Sequence, residues 1–88
     1  MNAKIVKVRK NIVKGSFDYF ISDTFELLGS INKEMEFQFR AWYEYETGGE
    51  ITFEEGVFFS LRDAAKCVEN GIKERFEQRG IVVRFDAY

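Results

Sequence analysis

The chain contains no histidine and no proline, and it has a single cysteine, Cys67. Without histidine, Ser–His–Asp and Cys–His nucleophile pairs, imidazole acid–base catalysis and the commonest zinc sites are closed to it. One thiol cannot form a disulfide within the chain, a pattern of reducing compartments, so the expected location is cytoplasmic. No apolar run approaches the roughly 20 residues needed to span a bilayer. Lysines and Arg9 interrupt residues 1 to 14, so no secretion signal is read there. A glycine-rich phosphate loop before a helix is also missing, because Gly48 and Gly49 fall in a turn between two strand patterns. No cofactor, metal or membrane is therefore expected, and neither is enzymatic activity.

What is present suits one folded unit. Eighty-eight residues, 45% apolar and 17% aromatic, suffice for one core, so residues 1–88 are read as a single α+β domain. Net charge is only -2, but it is uneven. Lys4, Lys7, Arg9, Lys10 and Lys14 stand in residues 1 to 17 without an acid, and all 15 acids follow.

The clearest local signal is the alternation of residues 35 to 46. It sends Met35, Phe37, Phe39, Ala41, Tyr43 and Tyr45 to one face, and Glu36, Gln38, Arg40, Trp42, Glu44 and Glu46 to the other. Thr47, Gly48 and Gly49 supply a tight turn, and Ile51–Phe53 begins the return strand. Glu55 falls on the face of Ile51 and Phe53 with Gly56 next, which predicts a bulge there. Ser60 caps a helix running to Arg79, with Asp63 in its first turn and Gly80 ending it. Leu61, Ala64, Ala65, Val68, Ile72 and Phe76 form its apolar stripe, and Glu69 is placed to pair with Lys73. Ile81, Val83 and Phe85 then alternate as a last strand.

The first third is less decided. Ala3–Val8 reads as a strand, followed by a turn at Lys14, Gly15 and Ser16 and an aromatic strand from Phe17. Asp23–Glu26 has capping-box spacing for a short helix leading to Gly29. The expected fold is a small antiparallel sheet of four to five strands packed on one main C-terminal helix, then a last strand. A helix over residues 17–28 would instead give β-α-β-β-α-β, the ferredoxin-like order.

Among residues with chemistry, Glu44, Glu46, Glu50, Glu54 and Glu55 surround the hairpin tip. They read as a solvated acidic surface rather than an acid–base pair, since neighbours such as Glu54 and Glu55 diverge on a strand. Cys67, at the edge of the helix stripe, reads as a half-buried structural thiol, with Lys66 alone being weak support for a nucleophile. Arg75 and Arg79 fall back onto the stripe and are expected to snorkel outward and satisfy the last-turn carbonyls. Trp42 is the one large apolar side chain on the polar face of its strand, between Arg40 and Glu44. It is either a partner's anchor or covered by the N-terminal strand or the 28–34 loop.

The expected function is thus a non-catalytic interaction protein binding another macromolecule through a sheet face and acidic hairpin, with Trp42, Arg40, Glu44, Glu46, Glu50 and Glu54 as partner-binding residues. In size and composition the chain resembles accessory and inhibitor proteins of phages and mobile elements, which implies blockade of a site on a host protein. The alternative is a nucleic-acid-binding module using Lys4, Lys7, Arg9, Lys10 and Lys14, with Trp42, Tyr43 and Tyr45 as stacking faces. A homodimer through a strand edge or the aromatic sheet is compatible with either.

Overall fold

The computed structural model of the chain describes residues 4–13 and 16–87. Five strands come first: β1 (Lys4–Val13), β2 (Ser16–Ile21), β3 (Leu27–Met35), β4 (Gln38–Thr47) and β5 (Glu50–Phe58). A single helix, α1 (Leu61–Glu77), and a last strand, β6 (Ile81–Ala87), follow. The six strands form one sheet in the order β5-β4-β3-β2-β1-β6. Neighbours from β1 to β5 are antiparallel, and β6 lies parallel to β1. The α+β class, main helix and closing strand are as expected, but the sheet has six strands rather than four or five and is mixed rather than antiparallel, since β6 closes it parallel to β1.

The additional strand is β3, in a stretch read from sequence as a short helix and a loop. Neither the helix at Asp23–Glu26 nor the helical alternative for 17–28 forms. Phe17, Tyr19 and Ile21 instead alternate onto the core side of β2. In the following turn Phe25 takes a left-handed φ of 62°, which helical continuation does not allow, and its ring stacks on Phe20 at 5.8 Å. The strand expected at Ala3–Val8 runs on to Val13; Ala3 and the expected turn residues Lys14 and Gly15 lie outside the described residues. Met35 and Phe37, expected to face inward, sit at the β3–β4 turn with 66% and 74% of their surface exposed. The turn at residues 36–37 interrupts the start of the alternation, and the strand itself begins at Gln38.

From Ser60, whose hydroxyl accepts the Asp63 N–H at 3.1 Å, α1 crosses one side of the sheet, and Gly80 leaves it at φ 74°. The helix runs along β4, with Cys67 beside Ala41, Gly71 against Tyr43, and Arg75 and Arg79 at Glu44 and Glu46, and it connects β5 at one edge of the sheet to β6 at the other. Ala64, Val68 and Ile72 meet Val8, Tyr19, Leu28, Ile31, Ala41 and Val83 in the core, with Leu61, Ala65 and Phe76 packed beside them. At Gly71 a Cβ would overlap the Tyr43 ring, so glycine is what lets helix and sheet approach there. Glu69 does not reach for Lys73. It accepts the Tyr19 hydroxyl at 2.8 Å and lies 3.6 Å from Lys10 Nζ, a partner for a phenol buried under the helix.

No second layer of described residues lies on the other side of the sheet. Among them no helix is long and apolar enough to cross a membrane.

Candidate functional site

The uncovered face takes its character from the β4–β5 hairpin. Gly48 and Gly49, at φ 60° and 85°, make a two-residue turn that pairs Thr47 with Glu50. That register sets Glu46 opposite Ile51, Glu44 opposite Phe53, Trp42 opposite Glu55 and Arg40 opposite Val57. Pairing continues to Phe39–Phe58 with no shift, so the bulge expected at Gly56 does not form. Gly56 lies flat opposite Ala41, and β5 keeps its apolar residues on the face of Trp42 instead of turning them to the helix.

The result is an inverted edge strand. Phe58 and Glu54 face α1, while Ile51, Phe53 and Val57 face away from it with 55%, 61% and 41% of their surface exposed. Trp42 meets Phe53 edge to face, ring centres 6.4 Å apart at 74°. It is half-buried and sits beside Ser30, whose hydroxyl donates to Asp18 at 2.8 Å. Residues 27–35 lie beside Trp42 as β3 rather than over it. Arg40 is held by Glu55 at 2.7 Å and Glu34 at 3.1 Å, contacts that raise the pKa of its guanidinium further. Trp42, Phe53, Glu44 and Glu55 outline a shallow hollow on this face.

The acidic hairpin is more neutralised than its sequence implies. Arg75 is 9% exposed and lies 3.4 Å from Glu44, and Arg79 pairs with Glu46. Neither arginine turns to the last-turn carbonyls as expected. Pairing of β4 with β3 stops at Gly29–Tyr43, which leaves Glu44 and Glu46 within reach of the helix end. Glu55 is taken by Arg40, and Glu54 accepts the Tyr43 hydroxyl at 2.8 Å. Glu50 has no partner among the described residues.

On the helix side, Ala41, Tyr43, Glu54, Glu55, Gly56, Phe58 and Cys67 line a cavity of about 250 Å³. Its hydroxyl and its thiol hold their protons more tightly than usual. The Tyr43 hydroxyl is pushed up to about 12 by its hydrogen bond to Glu54 and then by burial. Burial, followed by the Glu54 charge, raises the pKa of the Cys67 thiol, the reverse of what a nucleophile needs.

The basic residues of β1 do not share a stripe. Alternation with the buried Val8 puts Lys4 and Lys10 on the helix side and Lys7 and Arg9 on the open side. Lys14 lies outside the described residues. Trp42 is on the face of Lys7 and Arg9 but three strands away, about 14 Å, whereas Tyr43 and Tyr45 face the helix. Lys7 and Arg9 are therefore not brought together with Trp42, Tyr43 and Tyr45, the stacking faces expected from the sequence. Among the described residues no grouping of three or more Cys, Asp or Glu could hold a metal ion.

No known family, curated protein or solved structure matches this chain. The site is therefore characterised by its own geometry. Of its residues, sequence reading singled out Trp42, Arg40 and the glutamates but missed Ile51, Phe53 and Val57. A signal for them existed, because a two-residue turn at Gly48–Gly49 fixes Ile51 and Phe53 on the same face as Trp42.

Proposed function

We propose that this chain is a non-catalytic interaction protein whose partner is another protein, bound on the open sheet face of the β4–β5 hairpin. One observation carries this reading: Ile51, Phe53 and Val57 point away from the helix and join Trp42 in one exposed apolar patch. Contiguous apolar surface of this kind, ringed by charge, is characteristic of protein interfaces. Trp42, at its centre, is of a residue type that dominates binding energy. Arg40, Glu44 and Glu55 supply the polar rim, with Glu46 beyond them paired to Arg79, while Glu50 and Glu54 make the helix side of the same edge strand acidic. Occlusion of a site on the partner, an inhibitor's mode of action, suits a domain that offers a sheet face with a shallow hollow in it.

Nucleic-acid binding through Lys4, Lys7, Arg9 and Lys10 has less support, since the strand divides them between two faces and Lys10 is engaged by Glu69. The test is affinity for the captured partner. Trp42→Ala and Phe53→Ser are each expected to weaken it at least about tenfold while the thermal melt stays cooperative. Unchanged affinity in both variants would falsify the reading. Binding to single-stranded nucleic acid that falls steeply with salt would favour the alternative.

A further inference from the structure

β5 is the outer strand of the sheet, and among the described residues nothing pairs with its free side. Its nine residues, Glu50–Phe58, run without a register shift, so their outward N–H and C=O groups form a regular row. Edges of this length are usually blunted by lysine, proline or a bulge, and β5 has none of these. Its charges are all carboxylates. Glu50 and Glu54 lie on the helix side of the strand without a counter-cation among the described residues, and Ile51, Phe53 and Val57 lie on the other side.

Resting on the reading above, we infer that the partner is taken as an added strand: an extended segment pairs with β5, apolar beside Ile51, Phe53 and Val57 and basic beside Glu50 and Glu54. Main-chain hydrogen bonds supply affinity in such additions, and alternate side chains supply specificity. The segment also has a third requirement. Level with Gly56, on the side of Glu54, is the cavity lined by Ala41, Phe58 and Cys67, and the missing side chain at Gly56 leaves it open at the β5 edge of the sheet. An apolar side chain of the incoming segment fills it. A second copy of β5 is the poorer occupant, because it would gather Glu50, Glu54 and Glu55 of both chains along one seam. Nucleic acid would meet the same carboxylates.

The test uses the whole chain, labelled with ¹⁵N, and two synthetic peptides. One alternates valine with lysine and carries a phenylalanine at one lysine position; the other has glutamate for every lysine. The lysine peptide is expected to shift the amides of residues 50–58 and slow their hydrogen exchange, and the glutamate peptide to leave them unchanged. The double substitution Glu50→Lys and Glu54→Lys should reverse that preference by at least about tenfold. Cys67→Phe, which fills the cavity, should weaken the lysine peptide, with the melt checked for folding. Shifts at Trp42 and Phe53 without protection of β5 amides would overturn strand addition and leave docking on the face standing. Protection of those amides without peptide, together with concentration-dependent sedimentation, would make the occupant a second copy and overturn it too. If neither peptide binds, strand addition is wrong, and the Trp42→Ala measurement then decides the reading beneath it.

Discussion

Tyr43 stands between Gly71, which makes room for its ring, and Glu54, which accepts its hydroxyl proton. That second contact makes stability depend on alkaline pH. In the folded chain the hydroxyl keeps its proton up to about 12, against 10.0 for an ordinary tyrosine. A folded-state pKa raised in this way contributes stability that is complete below about pH 10 and is lost as pH rises through the folded value. Tyr19, whose pKa is pushed higher still by burial and by Glu69, acts in the same direction. The melting temperature is expected to fall from about pH 10 upward, and Tyr43→Phe to make that fall shallower. An identical slope in the variant would exclude Tyr43 as a cause.

Among the elements, the helix and the hairpin were legible and β3 was not. Ser60, the stripe from Leu61 to Phe76 and Gly80 encode α1 locally, and the Gly48–Gly49 turn encodes the hairpin. Leu27–Met35, by contrast, contains glycine, serine and asparagine, residues of low strand propensity, and it follows a segment that mimics a helix cap. Its strand character comes from pairing on both sides with β2 and β4, which no local signal records. The same holds for the contacts of Arg75 and Arg79, which depend on where β3 stops pairing with β4. These two arginines tie the end of α1 to the hairpin, and their contributions should differ. Arg75 is 9% exposed and Arg79 is 58% exposed, so a double-mutant cycle should give about 1 to 2 kcal/mol for Arg75–Glu44 and under about 1 kcal/mol for Arg79–Glu46. The reverse order would mean that the exposed pair is the one anchoring the hairpin.

For the whole molecule, the decisive geometry is one helix packed on a six-stranded sheet, which buries residues on one side and leaves the other side open among the described residues. Sequence patterning identified the buried side through Ala41, Val68 and Ile72. The open side was harder to read because β5 places apolar residues where alternation usually places polar ones. The sheet is closed by β6, which supplies Val83 to the core and Phe85 to an edge-on contact with Tyr19. A chain ending at Gly80 is therefore expected to lose its cooperative melt, and a retained sharp transition would show that β1 to β5 and α1 suffice. The parallel pairing of the first described strand with the last has a consequence for a chain emerging from the ribosome. Residues 4 to 58 can zip into their meander in order of synthesis, but Lys4–Lys10 must hold an unpaired edge until Ile81–Ala87 clears the exit tunnel. The interval between formation of that meander and docking of β6 is then the one in which β1 is most exposed to pairing with the wrong chain.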